Sequence, residues 1–221
     1  MSINLETLVS IRIGRLNLTA QSWLNHGGDL TNRRNAVGEF LINPTTVRYL
    51  RLKWRFIAGF DISATPAVAN GVVYFPSWNG YLYAKSGFAW ALDRDNGDIV
   101  WFKRAGPGSI QGGGIWGAAT DGQRVYTNII NGDRLPFTLA PSAQTTTAGA
   151  WVALDANTGE VLWSTANPSN ETSPGPMTIV NGLLFAGCVA PNGPFYAMNA
   201  KTGDIVWSYN TGATIYGGGL G

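Results

Sequence analysis

The chain has few of the residues that build metal centres and disulfide frameworks. Cys188 is its single cysteine and His26 its single histidine. One cysteine excludes an intramolecular disulfide, and the apolar residues around Cys188 indicate a small buried side chain rather than a reactive thiol. One histidine without cysteines at ligand spacing does not predict a metal site, so we interpret His26 as a turn residue.

Charge and long apolar runs are also scarce. Charged residues make up 13% of the 221 residues, and the net charge of +2 is scattered along the chain, with no basic stripe for nucleic acid. No stretch reaches the roughly 18 apolar residues of a membrane helix. Glu6, Arg12 and Arg15 interrupt the apolar positions at the N-terminus, whereas a secretory signal needs an unbroken apolar core. We therefore expect no nucleic-acid partner, no membrane partner and no signal peptide.

Glycine and tryptophan, in contrast, are abundant, and they mark a repeat. Three stretches run from alanine to tryptophan with glycine at the same position in each, and these are residues 91–101, 153–163 and 197–207. An Asn-Gly or Asp-Gly pair between apolar runs precedes each stretch, at residues 70–71, 121–122 and 181–182. Such pairs favour type I′ hairpin turns, in which both positions need a positive φ. Each unit therefore predicts four antiparallel strands.

A four-stranded unit that recurs about every 45 residues is typical of a β-propeller blade. The units are closed by Trp54, Trp101, Trp163 and Trp207. We expect each closing indole to pack between neighbouring blades, because it buries a large apolar area there. Asp93, Asp155 and Asn199 recur at equivalent turns, which indicates turn-capping residues rather than catalytic ones. Residues 131–149, rich in Thr, Pro and Gly, predict a surface loop without strands.

The repeat Ala-Leu-Asp-x-x-Thr-Gly-x-x-x-Trp resembles that of the quinoprotein alcohol dehydrogenases, which bind pyrroloquinoline quinone (PQQ) in an eight-bladed propeller. Residues 23–54 resemble the opening of these enzymes, and residues 85–128 resemble a later blade, most specifically over residues 85–94. Within the family, residues 23–217 are similar to the plant polyvinyl-alcohol-dehydrogenase-like proteins. The resemblance implies an all-β fold that oxidises alcohols by hydride transfer to PQQ, with Ca²⁺ polarising the quinone.

One junction departs from the repeat. Residues 80–84 and 87–93 both have the form of a third blade strand, and only Lys85 and Ser86 separate them. We therefore expect an internal deletion at this junction and a C-terminal truncation, which leave a partial β-propeller of about three to four blades of an ancestral eight. An alternative is a four-bladed ring that uses residues 23–50 as a partial blade. In the open form, unmatched end blades expose apolar faces, and self-association through them is possible.

The expected divisions follow from this junction. A poorly ordered N-terminal extension (1–22) precedes the partial propeller (23–221). Within the propeller we expect an N-terminal segment (23–51), an incomplete first blade (52–84), second-blade material (85–163), a third blade (164–207) and the start of a truncated blade (208–221).

The resemblance supplies four candidate cofactor contacts, Lys85, Gly113, Gly114 and Trp116. Lys85 falls where the family places a cation against the quinone oxygens, although a solvated loop lysine is the alternative. Gly113 and Gly114 resemble a turn whose N–H groups approach the cofactor's carboxylates, and the alternative is a bulge with a packed Trp116. The adjacent-cysteine disulfide and the Glu, Asn and Asp metal ligands of the family are not found. We therefore predict no metal ligand and assign no catalytic residue.

The sequence leaves two functions open. The first is a PQQ-dependent alcohol dehydrogenase, impaired or inactive in this chain, whose substrate is a small-molecule or polymeric alcohol; PQQ and Ca²⁺ are implied by the resemblance alone. The second is a non-enzymatic propeller fragment that acts as a protein-interaction module, because propellers with this repeat also serve as assembly scaffolds. The resemblance implies secretion and the missing signal sequence opposes it, so the compartment stays open.

Overall fold

Short β-strands make up nearly all of the regular structure. The computed structural model describes residues 7–13, 22–31, 34, 36, 41–58, 62, 64–77, 80–81, 84–109, 113–114 and 116–212. Within them lie seventeen strands and one 3-10 turn, Val47–Tyr49. None of the helices in this part of the chain is long and apolar enough to cross a membrane. The predicted all-β fold of antiparallel four-stranded units is confirmed.

Three sheets with four consecutive antiparallel strands form three blades. Blade one contains β3 (Ala67–Ala69), β4 (Val72–Ser77), β6 (Ala84–Asp93) and β7 (Ile99–Pro107), with the short β5 (Gly80–Tyr81) at the start of β6. Blade two contains β8 (Ala119–Thr120), β9 (Arg124–Ile129), β12 (Ala150–Asp155) and β13 (Val161–Ala166). Blade three contains β14 (Thr178–Val180), β15 (Leu183–Gly187), β16 (Pro194–Asn199) and β17 (Ile205–Asn210).

The first hairpin of each blade forms at the dipeptide that predicts it. Asn70 and Gly71 have φ values of 50° and 79°, and Asn181 and Gly182 have 48° and 77°. Both positions are positive, as a type I′ turn requires. At residues 121–122 only Gly122 has a positive φ, 83°. There the Asp121 carboxylate accepts hydrogen bonds from the backbone N–H groups of Gln123 and Arg124, which holds the turn by a side chain instead.

Blade one differs from the expected division at residues 84 and 85. β4 pairs with β6 from Val72 opposite Asp93 to Ser77 opposite Phe88, and β6 pairs with β7. Residues 67–107 therefore form one complete blade that has its own fourth strand and its closing Trp101. Because β6 is longer than β4, its first residues project beyond β4 and pair instead with β5. The two segments that look like successive third strands are thus one third strand and one short hairpin arm.

Two other segments depart from the sequence-based expectations. β1 (Thr7–Ile13) lies inside the expected poorly ordered extension, and it pairs along its whole length with β2 (Leu50–Ile57). The expected strandless loop at residues 131–149 contains a hairpin of β10 (Phe137–Thr138) and β11 (Thr145–Thr146). The buried Asn131 amide holds this hairpin by donating to the carbonyls of Leu135, Thr147 and Ala148. The composition of this segment does not predict these hydrogen bonds of Asn131.

The buried core lies between sheets rather than within one. One cluster joins β2 to blade one through residues such as Trp54, Phe75 and Leu92. A second joins blades one and two, and a third joins blades two and three. Each blade therefore buries its apolar faces only against its neighbours, which is how repeat architectures gain their stability.

Candidate functional site

The most regular feature of the molecule is the turn between the third and fourth strands of each blade, which we call the Asx–Gly turn. The side-chain oxygen of Asp93 accepts from the N–H groups of Asp95 and Asn96. The same atom of Asp155 accepts from Asn157 and Thr158, and that of Asn199 from Lys201. These three side chains bind their own turns, as the sequence predicts. They are therefore structural caps in the geometry of this chain.

A tryptophan from the preceding unit packs on the glycine of each Asx–Gly turn. The glycines are Gly97, Gly159 and Gly203, with φ values of 82°, 72° and 79°. A Cβ atom on them would lie 2.8 Å from the indole of Trp54, 2.6 Å from that of Trp101 and 2.5 Å from that of Trp163. Only glycine leaves room for the ring, and the expected packing of closing tryptophans between blades is confirmed for these three.

Each of these indoles also donates one hydrogen bond to the turn that it covers. The acceptor is always the carbonyl of the residue that follows the capping Asp or Asn. Trp54 Nε1 donates to Arg94 at 2.7 Å, Trp101 Nε1 to Ala156 at 2.8 Å, and Trp163 Nε1 to Ala200 at 3.1 Å. The indole is thus both packed and oriented, so the turn is recognised by shape and by one polar contact.

Buried tyrosines lie at two of these interfaces. Tyr74 of blade one donates to the Ala156 carbonyl at 3.3 Å. Tyr126 of blade two donates its single hydroxyl proton to the Asp121 carboxylate at 2.8 Å, and its oxygen lies 3.3 Å from the Ala200 carbonyl. Burial raises the pKa of both phenols, and the Asp121 carboxylate raises that of Tyr126 further. Both hydroxyls therefore stay protonated and serve as donors rather than as bases.

The segment at residues 22–31 connects the first strands or the turns beside them in all three blades. Trp23 exchanges two backbone hydrogen bonds of 2.8 Å with Val68 in β3 of blade one. The Leu24 carbonyl accepts from Thr120 in blade two, and the Asn25 side chain accepts from the Ile179 amide in blade three. In the sequence, Trp23 stands out only as part of a family resemblance. Its role as a connector cannot be predicted, because no local pattern encodes bonds to strands so far along the chain.

The predicted glycine contacts serve the packing of blades. A Cβ on Gly113 would strike the backbone of Gly87, and one on Gly114 would lie 2.6 Å from Thr127 Oγ1 and 2.8 Å from Pro76 Cβ. Both glycines are buried and pack tightly against protein atoms. This packing agrees with a structural bulge at Gly113 and Gly114, and their contact with a cofactor stays a prediction.

The other two predicted contacts are Trp116 and Lys85. Trp116 is half-exposed and has a φ of 73°, so it is not the packed tryptophan of the structural alternative. Lys85 has its backbone in β6 opposite Gly80, and its side chain lies outside the described part of the chain. The contact of Lys85 with a quinone stays a prediction.

His26 lies in a turn within the segment at residues 22–31. Its Nε2 is 3.4 Å from an Arg34 guanidinium nitrogen, and its buried Nδ1 has no hydrogen-bond partner among the described residues. Gly117 packs against the same ring, since a Cβ there would lie 3.0 Å from Nδ1. Across the described residues, no three His, Cys, Asp or Glu side chains are grouped closely enough to hold a metal ion. This part of the chain does not fit a quinone with its metal, because it offers neither ligands nor an open glycine turn.

Cys188 is buried in the core between blades two and three. Burial raises the pKa of its thiol, although the side chains of Asn167, Ser169 and Tyr196 lower it in part. The thiol is therefore protonated at neutral pH and is a poor nucleophile. This agrees with the interpretation of Cys188 as a small buried side chain.

An exposed aromatic surface lies on blade three. Trp207 is 50% exposed, whereas Trp163, at the same position of blade two, is 2% exposed. Tyr209 and Phe195 are also exposed beside it. The ring of Trp207 stacks on that of Tyr209 with centroids 6.0 Å apart. The sequence contains a signal for this surface, since Trp207 is the one closing tryptophan with no later Asx–Gly turn among the described residues.

Comparison with known proteins places these features in a family. The PQQ-repeat family model described as outer membrane protein assembly factor BamB matches residues 91–218. A polyvinylalcohol dehydrogenase from Pseudomonas sp is 30% identical over 143 residues, which are 60% of this chain and 21% of that protein. A polyvinylalcohol dehydrogenase from Sphingopyxis sp. (strain 113P3) is 33% identical over 141 residues, which are 58% of this chain and 20% of that protein. The chain thus spans about a fifth of the length of these relatives.

Solved structures share the same architecture. A europium-containing methanol dehydrogenase superposes on 85% of this chain and 31% of its own, with a TM-score of 0.62 and 22% sequence identity. At that identity the likeness shows the fold alone. It supports three blades of a propeller, in agreement with the sheets described above.

Proposed function

This chain belongs to the PQQ-repeat β-propeller family, and on that basis we propose that its blades form part of the wall of a propeller that oxidises alcohols with PQQ. The proposal rests on one observation above all. Both similar curated proteins are polyvinylalcohol dehydrogenases, and they match this chain over 141 to 143 residues. Hydroxyl groups of a small or polymeric alcohol are therefore the proposed substrate.

The described residues supply the framework of such a wall rather than its chemistry. Asp93, Asp155 and Asn199 are committed to their turns, and no metal-ligand group occurs among the described side chains. Gly113 and Gly114 are packed against protein atoms. We therefore propose that the chain by itself does not oxidise alcohols, and that PQQ and Ca²⁺ are held by other parts of the complete propeller of this family.

A direct titration tests this proposal. Purified chain is titrated with PQQ and CaCl₂, binding is followed by the quinone absorbance, and reduction of an artificial electron-acceptor dye is measured with primary alcohols and with polyvinyl alcohol. We expect no saturable PQQ binding and no turnover. A full-length polyvinylalcohol dehydrogenase in the same assay is the positive control. Saturable binding together with dye reduction by this chain would contradict the proposal.

A second function is favoured by a different observation. The exposed aromatic surface of blade three is suited to contact with another protein, and the matching family model is described as an assembly factor. A role as a protein-interaction module needs no cofactor. The two functions are distinguished by the same titration, since an interaction module binds protein with or without PQQ.

A further inference from the structure

Strand β1 pairs with β2 in the register that the third strand of each blade has with its fourth strand. In the blades, the closing tryptophan lies opposite an alanine, and the ladder then skips one residue of the fourth strand. The pairs that flank this bulge are Ala91–Trp101 and Leu92–Ile99, Ala153–Trp163 and Leu154–Val161, and Ala197–Trp207 and Met198–Ile205. In β1 and β2, Ser10 lies opposite Trp54, Ile11 lies opposite Leu52, and Lys53 is skipped. Strand β1 therefore has the place of a third blade strand.

The sequence of β1 agrees with this place up to the point at which a blade would turn. Ser10 is small and Ile11 is apolar, like the alanine and the leucine or methionine at the same register positions of the blades. Arg12 stands where the blades have their capping Asp or Asn. An arginine does not cap its own turn as Asp and Asn do, and the ladder continues to the end of β1. The two strands are therefore joined by residues 14–49 rather than by a tight turn.

Strand β2 depends on β1 for its backbone hydrogen bonds, since among the described strands it pairs with β1 alone. Its contacts with blade one are made by side chains. Trp54 Nε1 donates to the Arg94 carbonyl, and the Phe56 ring lies edge-on to the rings of Phe75 and Trp90. Side-chain packing alone would leave the backbone groups of β2 without ladder partners. The placement of this closing tryptophan therefore requires a strand in the position of β1.

We propose that the edge of β2 is a strand-binding site, and that its occupant is the segment 7–13 of the same chain, which we call the strap. The strap holds Trp54 on the Gly97 turn. The shared register and bulge carry this inference, because they make the strap equivalent to the third strands that pair with the strands of Trp101 and Trp163. No tight turn ties the strap to β2, so it can leave the edge without unfolding a blade.

The tether favours the strap of the same chain over that of a second copy. Residues 14–49 keep the strap near its site, which gives it a high effective concentration there, whereas a second copy in dilute solution has only its bulk concentration. This inference goes beyond the proposed function and holds whether or not the chain binds PQQ.

Disulfide cross-linking tests the register and the occupant. Val9 lies opposite Arg55, and directly opposite residues have Cα atoms about 4.5–5.5 Å apart, within the range of a disulfide. Val9→Cys is combined with Arg55→Cys, and the dilute protein is oxidised and mapped by mass spectrometry. The matched control combines Val9→Cys with Leu52→Cys, an exposed position about 10 Å further along β2.

We expect the first pair to close within one chain, at least about tenfold faster than the control pair. Equal rates in the two variants would overturn the register. A cross-linked dimer as the product of the first variant would make a second copy the occupant, which would overturn the choice of the same chain.

A second test removes the strap and returns it as a peptide. Successive N–H groups of a strand point to opposite edges, so proline at both Val9 and Ser10 removes at least one hydrogen bond to β2. Hydroxyl-radical footprinting then compares Trp54 with Trp163, which lies between blades two and three. We expect Trp54 to be oxidised several-fold faster and Trp163 to be unchanged. A peptide of residues 6–15 should restore the protection of Trp54.

The control peptide carries proline at both of these positions and should not protect Trp54. Unchanged oxidation of Trp54 in the proline variant would overturn the role of the strap, and so would equal protection by the two peptides. Faster oxidation of Trp163 together with Trp54 would overturn the claim that the strap leaves without unfolding the blades.

Discussion

Blades two and three carry the same kind of aromatic face, and only one of the two faces is covered. Trp163 lies on the Gly203 turn, donates to Ala200 and is buried with Tyr126 and Trp151. Trp207 has the same place in its ladder, stacks on Tyr209 within its own blade and is half-exposed. We therefore infer that the closing tryptophan contributes to stability through its contact with the next blade, not through contacts within its own blade.

The largest expected effect comes from removing the two tryptophans one at a time. Trp163→Ala leaves a cavity between blades and should lower the free energy of unfolding by about 3–5 kcal/mol. Trp207→Ala removes a half-exposed ring and should lower the free energy of unfolding by less than about 1 kcal/mol. Surface substitutions usually change that free energy by only about 0.5 kcal/mol. Urea denaturation of both variants measures the contrast. Equal losses in the free energy of unfolding would contradict the inferred difference between the two faces.

The glycine beneath the indole should show the second largest effect. Gly203→Ala forces a side chain into a positive φ and into the Trp163 ring, and we expect a loss of about 3 kcal/mol from strain and overpacking together. Gly182→Ala is the matched control, because its φ of 77° is similar and no atom lies within 4 Å of the added Cβ. This control should lower the free energy of unfolding only by the strain of the left-handed backbone, about 1–2 kcal/mol. If thermal unfolding gives identical values, the indole does not pack on Gly203 in solution.

A smaller effect is expected from acid at the interface between blades two and three. Burial of Asp121 opposes ionisation, but hydrogen bonds from Tyr126, Arg124 and Gln123 together hold its pKa below the ordinary value. A carboxyl with a lowered pKa in the folded state stabilises the fold above the unfolded pKa. That stabilisation is lost as the pH falls from the ordinary aspartate range through the lowered pKa. Stability measured by urea titration across this acid range should fall less steeply in Asp121→Asn, and an unchanged slope would contradict this role.

The smallest perturbation uses Cys188 as a reporter of the covered interface. Because the thiol is buried with a raised pKa, iodoacetamide should label it at neutral pH only when the blades open. Trp163→Ala should speed labelling, and Trp207→Ala should leave the rate unchanged, as followed by mass spectrometry. Fast labelling of the unmodified chain would show that the core between blades two and three is not closed.

The repeat unit could be predicted because its signals are local. Asn70-Gly71 and Asn181-Gly182 determine their hairpins through φ alone, and the Asx–Gly turn is held by contacts within six residues. The indole contacts followed from the size of tryptophan once the turn was known. These parts of the fold can therefore be predicted from the sequence.

Contacts between distant segments could not be predicted in the same way. The pairing of β5 with the overhanging start of β6 depends on the difference in length between β4 and β6, which pattern alone does not give. The hydrogen bonds that residues 23–25 and Asn131 make to distant segments have backbone N–H and C=O groups as partners, and every residue type carries such groups apart from the N–H of proline. The sequence does not decide the role of Gly113 and Gly114, because glycine serves close packing and close ligand approach equally well, and their contact with a cofactor stays a prediction.

Solvent access of the four closing tryptophans tests the central claim most directly. Hydroxyl-radical footprinting with mass spectrometry measures the oxidation rate of each ring in the unmodified chain. We expect slow oxidation of Trp54, Trp101 and Trp163, which lie on glycine turns, and fast oxidation of Trp207. Protection of Trp207 equal to that of Trp163 would contradict it, and so would fast oxidation of Trp163.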